Sequence, residues 1–131
     1  MAKVNATINK LHYKTEISSD SNNLIIADEP LEIGGHGEGF SPGELLCASL
    51  AACTSITLRM YADRKEWPLE GLNVEVNYDQ DLEVNTHHIS VKIHFIGDLS
   101  IEQRDKLLEI AEKCPIHKAL SNPITIKTTE L

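Results

Sequence analysis

FSPGELLCASLAACTSITLRMYADRKEWP, residues 40–68, is the stretch from which the fold is read. Ser41-Pro42-Gly43-Glu44 has the form of a helix start. It offers a capping hydroxyl, a proline at the first helical position and an acid beside the positive end of the helix dipole. From Leu45 to Leu58 no residue is charged. Charges return at Arg59, Asp63, Arg64, Lys65 and Glu66, and Trp67-Pro68 is expected to close the element. A helix apolar on every side is expected to be buried on every side. Its fourteen uncharged residues fall short of a membrane span, which needs about 20. The stretch carries Cys47 and Cys53, two of the three cysteines, so its reading also decides where thiol chemistry is sought.

Working outward, 131 residues predict a single domain over 1–131. A chain of this size buries roughly two-thirds of its unfolded surface, enough for a core. The formal net charge of −8 argues against nucleic acid and anionic membrane as partners and fits a soluble protein. Met1 to Lys10 has no apolar run behind a basic start, so no signal peptide is expected. Three cysteines are too few for a secreted disulfide scaffold, and the expected compartment is the reducing cytoplasm.

The flanks read as strands and short helices. Val4, Ala6 and Ile8 alternate with polar neighbours, as do Tyr13, Thr15 and Ile17, and Leu24 to Ala27 forms a short apolar run. These predict an antiparallel meander. Gly34-Gly35-His36-Gly37-Glu38-Gly39 reads as a mobile lead-in to the helix, because no Lys-Ser/Thr follows to make a phosphate loop. Beyond the helix, Leu72, Val74, Val76 and Tyr78 alternate, then Ile89, Val91, Ile93 and Phe95, giving two strands with one buried face. Ser100 and Gln103 form a capping box for a second helix. Pro115 starts a third, short helix capped by Cys114. Ile124, Ile126 and Thr128 predict a last strand. The order is α+β.

Local physics ranks the thiols. Cys114 precedes a helix-starting proline, where free N–H groups and the dipole favour thiolate, and His117 lies about one turn on. Spacing leaves two readings for it, a reactive thiol or a small apolar filler. Cys53 sits mid-helix among Ser49, Leu50, Ile56 and Thr57, surroundings in which a thiol is ordinarily inert. Cys47 points about 120° away from Cys53 at 3.6 residues per turn, so the pair cannot bridge, and Cys47 reads as packing.

Ser41-Pro42-Gly43-Glu44-Leu45-Leu46, followed by Ala51-Ala52-Cys53, and then Cys114-Pro115-Ile116-His117-Lys118, resembles the signature of the OsmC/Ohr family, and the element order matches over nearly the whole chain. The resemblance implies an intertwined homodimer with antiparallel sheets wrapped around long central helices. Ala48, Ser49, Ala51, Ala52 and Ser55 would allow close helix contact in it. It implies thiol-dependent reduction of hydroperoxides, organic ones above all, with Cys53 peroxidatic and Cys114 resolving. A dithiol, or a lipoylated protein, would serve as reductant. No cofactor or metal is called for.

The chain departs from the family's peroxidases in two ways. Their catalytic Glu, ten residues before the first Cys, falls on Gly43, and Glu44 stands one residue later, about 100° round the helix. Glu44 is either that carboxylate in altered geometry or a helix-start acid only. Their N-terminal Arg has no counterpart, since the first arginine is Arg59, six residues from Cys53 on another face. Lys10, Lys14 or His36 are the substitutes on offer, without the planar fork of a guanidinium. The missing Arg favours an alternative on the same scaffold, a redox-sensing or small-molecule-binding dimer with little turnover. His88 and His94 share a strand face but lie too far apart to hold one metal with His87. Asp79, Asp81 and Glu83 lack the glycine and terminal glutamate of a calcium loop.

Overall fold

The computed structural model describes residues 1–131, which divide into two compact units, Met1–Leu46 and Cys47–Leu131. In the first, β1 (Val4–Ile8), β2 (Thr15–Ser19) and β3 (Leu24–Ala27) form an antiparallel sheet in the order β1-β2-β3. The register sets Ala6 against Ile17 and Ile17 against Ile25, as the alternation requires. A 3-10 turn, Leu31–Ile33, follows.

The glycine loop is not the mobile lead-in expected. Asp28, 3% exposed, gathers it. Its Oδ1 accepts from the N–H groups of Tyr13 (3.1 Å) and Glu29 (2.8 Å), and its Oδ2 from those of His36 (3.2 Å) and Glu38 (3.1 Å). The glycines permit close backbone approach. A Cβ on Gly35 would stand 2.0 Å from the Glu29 carbonyl oxygen, and one on Gly39 2.1 Å from that of Ile26. Phe40 then bridges to Ala27 in parallel sense and delivers the chain to Ser41.

α1 (Pro42–Arg64) starts where the sequence places it. The Glu44 N–H bonds to Ser41 Oγ at 3.2 Å and the Leu45 N–H to the Ser41 carbonyl. It ends at Arg64, before Trp67-Pro68. Glu66 turns left-handed at φ 56°, and the Trp67 N–H reaches back to the Ala62 carbonyl at 2.9 Å, closing the last turn. At 23 residues α1 is long and apolar enough, by length and composition, to cross a membrane. Counting only uncharged residues understated it. Leu50, Thr54, Leu58 and Ala62 are nevertheless buried within the protein.

In the second unit β4 (Gly71–Asp81) and β5 (Thr86–Ile96) make an antiparallel hairpin in register from Gly71↔Ile96 to Asp81↔Thr86. α2 (Ile101–Ala111) carries the capping box, with Gln103 N–H on Ser100 Oγ (3.1 Å) and Ser100 N–H on Gln103 Oε1 (2.9 Å). α3 (Pro115–Leu120) follows. Leu58 and Ala62 of α1 pack with Leu69, Phe95, Leu99, Leu107, Ile110 and Ala111 in one core.

Two expectations fail. α1 is not buried on every side: Ser49, Ala52, Ile56 and Met60 are exposed, at the i, i+3, i+7, i+11 spacing of one face. Ile124, Ile126 and Thr128 form no strand; residues 123–131 lie outside any sheet. Alternation supplies a face, but a strand exists only against a ladder partner, and none within the chain reaches this segment.

Candidate functional site

Cys114 is placed by its own local sequence. Extended dihedrals (φ −62°, ψ 141°) before Pro115 make it the cap of α3, and its Sγ accepts the His117 N–H at 3.2 Å. The residue is fully buried. Cys53 is placed by α1, where it is half-buried at the helix middle. The fold brings these two thiols, about sixty residues apart in sequence, together. Thr54, next to Cys53, points its hydroxyl at Cys114 Sγ at 4.0 Å. Cys53 itself is influenced by the Cys114 thiol, the Ile116 N–H and the Thr57 hydroxyl. Both thiols are free.

Loss of water around Cys53 raises its pKa above the ordinary thiol value. The Ile116 N–H and Thr57 hydroxyl work in the other direction, and the neighbouring Cys114 adds to the rise. Arg59 does not relieve it. Its guanidinium holds Asp63 Oδ1 (2.9 and 2.6 Å) and the Leu69 carbonyl (2.6 Å). In the first unit Lys14 faces Glu38 at 3.9 Å, His36 Nδ1 bonds to the His12 carbonyl at 2.7 Å, and Lys10 is exposed. Glu44 lies in the first turn of α1 with its side chain exposed, and Cys47 is half-buried on the same helix.

The other candidates have structural partners. Tyr78 and His87 stack with centroids 5.8 Å apart and share a 2.6 Å bond from hydroxyl to Nδ1. Asp81 Oδ1 accepts the Glu83 N–H within the hairpin turn. Two cavities of about 280 and 210 Å³ open between β5 and the helices, sharing Ile89, Val91 and His117, and the larger reaches Thr54. A third, about 450 Å³, lies along the open face of α1 at Ile56, Arg59, Met60 and Leu72.

A family model for OsmC-like protein matches residues 35–129, most of the chain, including both cysteines and the whole of α1. The chain belongs to the OsmC-like family. Solved OsmC-like relatives share the fold. A candidate osmotic-stress-induced and detoxification-response protein from Psychrobacter arcticus 273-4 is 28% identical with a TM-score of 0.76, covering 91% of this chain and 88% of its own. An OsmC-like protein from Mycoplasma pneumoniae superposes with a TM-score of 0.79 at 20% identity, over 92% and 87%. The organic hydroperoxide resistance protein OhrB of Bacillus subtilis is 26% identical, with a TM-score of 0.62 over 91% and 89%. No curated protein matches in sequence. The α+β architecture expected from the sequence is thus the OsmC-like fold, with antiparallel sheets and a long helix.

Thr54 has no role in the sequence expectations for this OsmC-like chain, and Thr57 enters them only as a helical neighbour of Cys53. The available signal was the set of hydroxyls around Cys53, at Ser49, Thr54, Ser55 and Thr57, on an otherwise apolar helix, where a buried hydroxyl needs an acceptor.

Proposed function

We propose that the protein reduces organic hydroperoxides by a two-cysteine cycle. Cys53 thiolate attacks the distal peroxide oxygen, the O–O bond breaks, and the alcohol leaves with a proton. Cys114 then displaces hydroxide from the Cys53 sulfenic acid, giving a disulfide and water. A dithiol, free or as a lipoyl group on a protein, reduces the disulfide. The observation that carries this reading is the meeting of Cys53 and Cys114 at the first turn of α3. Membership of a family that includes the organic hydroperoxide resistance protein of B. subtilis supports it. We assign Glu44 the proton-handling carboxylate role, and we place the protein in the reducing cytoplasm as a homodimer. Its seam would be the exposed face of α1 at Ser49, Ala52, Ile56 and Met60.

A coupled assay with an organic hydroperoxide and a small dithiol tests the reading. The wild type consumes peroxide, while Cys53→Ser abolishes turnover and Cys114→Ser stalls after one sulfenic acid equivalent. Full turnover in both variants overturns it. The raised thiol of Cys53, with Arg59 committed elsewhere, favours a second reading in which the same pair senses oxidation without rapid turnover. Stoichiometric disulfide formation with negligible steady-state rate selects that one.

A further inference from the structure

Thr54 is 1% exposed, and a hydroxyl in such a place needs a partner. A helical threonine or serine ordinarily finds it by bonding back to the carbonyl one turn earlier. Ser55 does so, donating to Ala51 O at 2.8 Å. Thr54 does not; its hydroxyl donates to Cys114 Sγ instead. That contact is long, at 4.0 Å, and the sulfur of a thiol is a weak acceptor. A sulfur that takes on negative charge becomes a strong acceptor, and hydrogen bonds to it shorten. An interaction weak in the resting state and strong in the charged one is the kind that accelerates a reaction.

We infer that Thr54 is a catalytic residue of the thiol cycle, its hydroxyl stabilising the negative charge on Cys114 Sγ. The inference rests on the two-cysteine reading above and deepens it. The charge develops twice. In resolution Cys114 gives up its proton and its sulfur attacks the sulfenic sulfur of Cys53. The S–S bond forms, the S–O bond breaks, and the departing hydroxide takes up a proton as water. In reduction a thiolate of the dithiol attacks Cys53 Sγ. The S–S bond breaks, and Cys114 leaves with the bonding pair before it is reprotonated. The second thiol of the dithiol then displaces Cys53, so the dithiol is oxidised to a disulfide and both cysteines return as thiols. The His117 N–H, at 3.2 Å, is a fixed second donor to the same sulfur.

The test reads the Cys53–Cys114 couple directly, so it does not depend on peroxide turnover. The full chain is equilibrated with mixtures of reduced and oxidised dithiothreitol, quenched in acid, unfolded and alkylated, and its thiols are counted by mass. Losing one hydrogen bond to the reduced state should shift the equilibrium of Thr54→Val about fivefold toward the disulfide. Thr54→Ser should stay at the wild-type value. Thr54→Ala, which removes the hydroxyl without adding a methyl, should repeat the Val result and covers the case in which Val fails to fold. Equal equilibria in wild type, Thr54→Val and Thr54→Ala would overturn the role of Thr54 while leaving the two-cysteine reading intact. A wild type that forms no Cys53–Cys114 disulfide overturns both.

Discussion

At the scale of single residues, the decisive fact is that Cys53 is half-buried and no guanidinium is offered from its own stretch of helix. Desolvation dominates its titration and pushes its pKa up. The sign of the consequence follows from linkage. A group whose folded pKa exceeds its unfolded value stabilises the fold below the unfolded value, and that contribution is lost as pH rises through the folded one. Chemical denaturation of the reduced protein should therefore show stability falling above about pH 9, the thiol range. In Cys53→Ser the fall should be smaller. Alkylation of Cys53 by iodoacetamide should likewise be slow at neutral pH and climb on the alkaline side. A Cys53 that alkylates faster at neutrality than an unstructured thiol would contradict this. The cap role of Cys114 was legible in the sequence because it depends only on the proline that follows. The company of Cys53 was not legible in its spacing; the family resemblance alone paired it with Cys114, and both Ile116 and Cys114 reach it through the fold.

At the scale of elements, each segment whose rule is local was legible. The α2 capping box is one case, and Ser100→Ala should cost about 1 kcal/mol in urea denaturation, with no change in the far-ultraviolet spectrum of the folded state. The glycine loop is the opposite case. Its order comes from one carboxylate at Asp28 that collects four backbone N–H groups, from Tyr13, Glu29, His36 and Glu38. Six glycine-rich residues look mobile in one dimension, and nothing in them shows that an aspartate upstream will tie them down. These bonds, with that of Glu38 foremost, hold the Asp28 carboxyl below the ordinary value of 3.8 despite its burial. A lowered carboxylate pKa contributes stability above the unfolded value and loses it as pH falls through the folded one. Urea midpoints of the wild type should hold to about pH 4 and drop below it. Asp28→Asn should start lower and show less of that acid loss. An Asp28→Asn midpoint equal to the wild type across this range would show that the clamp is idle.

At the scale of the whole molecule, the pattern of exposure is the informative quantity. Val4, Ile8, Leu24 and Ile25 of the first unit and Ile56 and Met60 of α1 are exposed between 48% and 69%. A lone soluble chain rarely leaves so many large apolar groups in water. The sequence showed that α1 is apolar all round, and the expectation of burial on every side assumed that one chain supplies every side. The chain covers one face only. The proposed homodimer accounts for the other, and Ile56→Glu with Met60→Glu should convert a dimer to a monomer in sedimentation. An unchanged sedimentation coefficient would remove α1 from the seam. The tail carries a related consequence. Residues 123–131 alternate like a strand, yet their backbone joins no sheet of the chain. Amides without a structural bond trade hydrogen for deuterium at the rate of open chain. The terminal peptide therefore works as a built-in clock: in an isolated chain its deuterium uptake finishes within the dead time, and each amide that lags reports a ladder lent from outside.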